Sequence, residues 1–135
     1  LLDNYCKVIN IEALTMIDMA KKQILPAVEG YCAELANAAA AKRAILPDID
    51  LGYEKKLIEK LTRLMSEISD RTDALEEALH SIRGINTVEK QSCAYRDLIL
   101  TRMNELRAAA DEAETIVAEK YWPYPTYGEL LFGVR

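Results

Sequence analysis

The single histidine of this chain stands in the string EALH, Glu77 to His80. A glutamate three residues before a histidine puts both side chains on one helix face, as helical di-iron sites require. Such a site needs a second Glu-x-x-His and two further glutamates, and 1 histidine in total cannot supply them. The same shortage limits nucleophilic catalysis. A Ser/His/Asp or Cys/His arrangement would have to be built on His80, and nothing in the sequence marks its partners. The 5 glycines are isolated, so there is no glycine-rich phosphate loop. Cys6, Cys32 and Cys93 have neither zinc nor redox spacing and read as reduced thiols of a cytosolic protein. No catalytic, cofactor-binding or metal-ligating residue is assigned.

Two compositional clusters invite a binding role. Asp111, Glu112, Glu114 and Glu119 crowd the last turns of a helical stretch, where acidic groups oppose the helix dipole. They read either as a solvated face or as a docking patch for a basic partner. The alanine-rich run Asn37 to Ile45 lets another helix approach closely, within the bundle or from another subunit. The net charge of −5 argues against nucleic acid and against an anionic membrane surface. No apolar run approaches the ~18–20 residues of a membrane span. The start, LLDNYCKVIN, lacks the basic-then-apolar form of a signal peptide. It opens on leucine, from which we expect a processed chain or a piece of a longer protein.

The elements that carry these residues are helical. With 135 residues, 50% hydrophobic and 29% charged, the chain has the size and composition of one globular domain. Ala13, Ile17, Ala20, Ile24, Ala27, Tyr31, Leu35 and Ala38 are spaced by alternate steps of four and three, which makes one stripe on a helix over about 3–45. Pro26 lies in its middle and predicts a kink or break near Ile24–Pro26. Pro47 ends this helix, and Asp48 or Asp50 can cap the next, over about 51–83. That second helix carries Leu57, Leu61, Leu64, Ile68, Leu75, Leu79 and Ile82 on one side. Lys55, Glu59, Arg63, Glu67 and Arg71 form a ladder of alternating sign on a face read as solvated. Gly84 predicts its end, and Asn86 with Glu89 resembles a capping box. A third helix over about 87–120 carries Val88, Tyr95, Ile99, Met103, Leu106, Ala110, Ala113 and Val117. Short connections make neighbours antiparallel. The predicted fold is all-α: an elongated antiparallel bundle of three long helices, four if the first breaks at Pro26. At ~1.5 Å per residue the first helix would be ~65 Å long and the others ~50 Å, so part of it projects or packs on something else.

The tail, residues 121–135, differs from everything before it. Tyr121, Trp122, Tyr124, Tyr127 and Phe132 are five of the chain's nine aromatic residues, and Pro123 and Pro125 stand among them. With Leu130 and Leu131 these aromatics are the candidate docking or packing residues. The tail folds back over its own bundle or covers a neighbouring domain or subunit. Two strings carry a resemblance. IEALTMIDMAKKQILPAV, Ile11 to Val28, resembles the start of the C-terminal helical region of type III glutamine synthetases. YWPYPTYGELLFGV, Tyr121 to Val134, resembles the closing motif of the same proteins. The resemblance implies a large bacterial cytoplasmic parent that joins ammonia to glutamate with ATP and Mg or Mn, built as two stacked hexameric rings. It places the catalytic residues, nucleotide pocket and metal ligands in an upstream domain, so none maps onto this sequence. The implied partners are that upstream catalytic domain and neighbouring subunits. The alternative is a free-standing helical adaptor that binds a partner helix or protein. A small helical enzyme or metal protein built on Glu77 and His80 is the third possibility.

Overall fold

The computed structural model describes residues 2–83, 90 and 93–125. The first of three helical rods is α1 (Leu2–Met19), a π turn (Ala20–Ile24) and α2 (Leu25–Ile45) in unbroken succession. The second is α3 (Gly52–Ile82). The third contains another π turn (Tyr95–Ile99) followed by α4 (Leu100–Ile116). No strand occurs among the described residues. Gly84 and the Asn86–Glu89 pair lie outside them.

Cross-rod contacts give the directions. Lys42 meets Glu54, Cys32 meets Thr62 and Lys21 meets Glu76, so the second rod runs antiparallel to the first. Arg63 meets Glu112 and Arg71 meets the Glu105 carbonyl, so the third runs antiparallel to the second. One core joins all three. Ala13, Ala20, Val28, Leu61, Leu64, Ile68, Leu75, Ile99 and Ala113 are its most enclosed apolar residues.

Pro26 does not break the first rod. A proline inside a helix lacks an N–H and its ring collides with the carbonyl four residues back, here that of Lys22. The turn just before it is wound wide. Leu25 donates its N–H to the Ala20 carbonyl, five residues back, and Leu25 itself keeps helical angles of φ −60° and ψ −45°. The π turn takes up one extra residue and Pro26 falls in the first turn of α2, where its missing donor costs little. The extra residue also moves the apolar stripe. Past Ile24 the buried positions are Ala27, Val28, Cys32 and Leu35, while Tyr31 and Ala38 are only half-buried.

Two other expectations change. The third helix stops at Ile116, not near Lys120. Val117 turns to extended angles, φ −69° and ψ 133°, and no basic side chain in the last turn offsets the acidic groups there. The alternating ladder on the second rod is not merely solvated. Arg63 bonds Glu67 at 2.7 Å along the helix and Glu112 of α4 at 3.0 Å across it. Arg71 donates to the Glu105 carbonyl at 2.7 Å. These contacts tie α3 to α4, and they use one member of the acidic cluster inside the molecule.

The first connection follows its sequence closely. Leu46 leaves the helix one residue before Pro47, as pre-proline residues do. Asp50 accepts the Gly52 N–H at 2.9 Å, satisfying a donor in the first turn of α3. The alanine-rich end of α2 touches the bundle through Lys42, bonded to Glu54 at 2.8 Å, and its Ala40, Ala41 and Ala44 are left in the open. Residues 40–45 are all exposed, because the third rod does not extend beside them.

Candidate functional site: an aromatic clasp on the first rod

Beyond Val117 the chain turns back. Tyr121 and Trp122 donate their N–H groups to the carbonyls of Ala118 and Glu119, at 2.9 and 3.1 Å. This turn aims three aromatic side chains at the bundle, and Tyr121, Trp122 and Tyr124 all pack against its core. Tyr127, Leu130, Leu131 and Phe132 lie outside the described residues.

Tyr121 settles over Gly30 in α2. A Cβ at that position would stand 3.2 Å from Tyr121 Cε1, so the missing side chain makes room for the ring. Tyr31 lies beside it, with ring centroids 5.7 Å apart. Lys120 bonds Glu34 at 3.0 Å and sits 5.3 Å from the centre of the Tyr121 ring. The Lys120 hydrogen bond holds the Glu34 carboxyl below its ordinary range, and Glu34 in return raises Lys120. Burial, followed by the neighbouring Tyr53, raises the Tyr31 hydroxyl.

About two turns nearer the N-terminus of the first rod, Trp122 and Tyr124 meet edge to face at 6.2 Å. The Tyr124 hydroxyl donates to Gln23 Oε1. Burial, followed by Asp18, raises that hydroxyl's pKa. The pair walls a groove of about 290 Å³ between the first rod and α4, with Met16, Met19, Leu106 and Ala110 on its surface. Arg107, Asp111 and Glu114 line it as well. The site has the chemistry of a packing surface: apolar rings, one glycine seat and an ion pair over it.

The other candidates do not come together. Glu77 and His80 are both exposed, and among the described residues no three His, Cys, Asp or Glu side chains gather as metal ligands would. Cys6 and Cys32 are buried and Cys93 is exposed. Sequence reasoning missed Gly30, Gln23 and Glu34. Only Gly30 carried a signal, since a glycine inside a helical pattern often marks a close approach.

Comparison with known proteins gives this arrangement a context. A family model described as the glutamine synthetase C-terminal domain matches residues 1–43, which are nearly the whole first rod. A glutamine synthetase of Butyrivibrio fibrisolvens is 34% identical over 135 residues, covering 100% of this chain and 19% of the relative. A type-3 glutamine synthetase of Dictyostelium discoideum is 28% identical, covering 98% of this chain and 18% of its own length. Homology along the full chain indicates a glutamine synthetase C-terminal domain. A third relative, a glutamine synthetase of Bacteroides fragilis, is 26% identical over 97% of this chain. The chain spans about a fifth of the length of the curated relatives it matches. Within the family match lie Gly30 and Gln23, the residues on which the clasp closes.

Proposed function

We propose that this chain is a non-catalytic structural and assembly domain of a type III glutamine synthetase. The parent would make glutamine from glutamate, ammonia and ATP with Mg or Mn, in the cytoplasm, using residues outside this chain. The observation that carries the reading is the match along the full chain to a fifth of proteins named glutamine synthetase, one of them type-3. The elongated antiparallel bundle supports it physically. A bundle with its tail clasped on its first rod is a rigid spacer, and the projecting end of that rod offers a surface to the upstream catalytic domain or to neighbouring subunits.

The test uses the full-length parent. It is expected to form glutamine from glutamate, ammonia and ATP, and to sediment as an oligomer. Removal of this domain is expected to shift the mass toward smaller species. An unchanged mass would remove the assembly role. A parent without glutamine-forming activity would remove the family reading of function.

A further inference from the structure

The first helix is apolar on two sides. Cys6, Ile9, Ala13 and Ile17 turn one side of α1 inward, and all four are buried. Ile11 lies two residues, about 200° of helix turn, from both Ile9 and Ala13, and so points away from the core. With Val8 and Leu14, three residues to either side, it makes a second stripe. Val8, Ile11 and Leu14 are 45%, 63% and 48% exposed. The other large hydrophobic residues in the open among the described residues, Ile45, Leu46 and Tyr53, lie at the far end of the bundle, so the stripe is a patch of its own. Leu14 also lines a shallow groove of about 500 Å³ with Leu79 and His80 of α3. Exposed Lys7, Glu12 and Asp18 stand four residues from Ile11, Val8 and Leu14, giving the apolar centre a charged rim. A helix apolar on both sides belongs in an interior.

We propose that this outer face of α1 is where the domain seats against an apolar surface of the upstream catalytic part of its own polypeptide. The inference rests on the reading of the chain as a C-terminal domain of a glutamine synthetase. In that reading the rest of the parent joins the head of α1, since the chain spans about a fifth of its relatives and its first rod matches a domain described as C-terminal. The helix is continuous from Leu2, so about 9 Å of rise separates its head from Val8. A domain joined there lies beside the stripe. Size favours this occupant over a separate molecule. Three side chains on two turns fall well short of the ~20–30 residues a side that hold separate proteins together. A covalently joined domain needs fewer, because tethering gives an effective concentration of order millimolar.

Thiol labelling of the full-length parent reads this face directly. The parent carries Ile11→Cys, and maleimide reaction at that position is followed by peptide mass. Labelling is expected to be about tenfold or more slower in the native parent than in the urea-unfolded one, because a thiol inside an interface reacts only when it opens. The protection is expected to persist on dilution that separates the subunits. Adding Leu14→Asp is expected to restore fast labelling with an unchanged circular dichroism spectrum, since Leu14 is already half in water within the domain itself. Native labelling as fast as unfolded labelling would overturn the proposal, and so would protection that Leu14→Asp leaves untouched. Protection lost on dilution would assign the stripe to a neighbouring subunit or a second copy and also overturn it. Glutamine formation is assayed on the same preparation. An inactive parent would remove the functional reading, whereas fast labelling in an active parent would remove this inference alone.

Discussion

The middle of the first rod and its far end are made of similar residues in opposite surroundings. Ile17 in the middle is 7% exposed and Ile45 at the end is 78% exposed. Ala13 and Ala20 are fully enclosed, whereas Ala40, Ala41 and Ala44 face outward. Helix propensity does not separate the two regions, since both are helical throughout. The difference is the number of neighbours. In the middle, two rods and the clasp close around the first; at the end only α3 lies alongside. There the contact is held by buried Leu51 and by Lys42 bonded at 2.8 Å to Glu54. Apolar burial organises one region, and a single shielded ion pair organises the other.

That contrast can be broken by substitution. The largest effect is expected at Leu75, which has no exposed surface. Leu75→Ala loses its transfer energy and leaves a cavity, costing about 2–5 kcal/mol in chemical denaturation. A loss below 1 kcal/mol there would mean that the middle is not packed as described. At the far end the sensitive variable is pH. The hydrogen bond from Lys42, then that from its own backbone, holds the Glu54 carboxyl below its ordinary 4.5. A carboxyl depressed in the folded state contributes stability above its unfolded value. That contribution is lost as pH falls through the lower folded value. Stability is therefore expected to decline below about pH 4.5, and Glu54→Gln to lower stability at neutral pH while making the acid slope shallower. A variant with the original slope would remove this role.

Gly30→Ala sharpens the comparison at the clasp. Alanine favours a helix interior by about 1 kcal/mol over glycine. Its Cβ would meet the Tyr121 ring at 3.2 Å. The gain is expected in full only in a Tyr121→Ala background and in reduced measure in the native chain. Equal gains in both would show that the ring does not depend on the glycine. The smallest effect is expected from Ile45→Ala, within about 0.5 kcal/mol, because the side chain is already in water.

The sequence showed that the molecule is helical because apolar spacing and two breakers, Pro47 and the Pro123–Pro125 pair, are local features. It also marked Tyr121, Trp122 and Tyr124 as too apolar to stand apart. What those rings touch was not legible, since Gly30, Gln23 and Glu34 lie about a hundred residues away and only folding brings them near. The burial of Glu54 and of Thr72, whose hydroxyl bonds the Ile68 carbonyl at 2.7 Å, was hidden for a related reason. A polar residue on the inner face looks like an error in the pattern until its partner is known. The exposure of Ala40 to Ile45 was misjudged because small residues suit a close contact whether or not a neighbour reaches them. The early stop at Ile116 likewise depends on where the following turn must place its rings.

The wide turn at Ala20–Ile24 has a consequence for how this chain can change length. Delete one residue from that turn, and the helix becomes regular while Pro26 drives its ring into the Lys22 carbonyl. Replace Pro26 alone, and the surplus residue loses its reason to remain. The proline and the surplus residue are therefore expected to be gained or lost as a pair, and aligned relatives that lack one should lack the other. In descent this stretch of helix would behave as a two-part lock, closed to single insertions and deletions on either side.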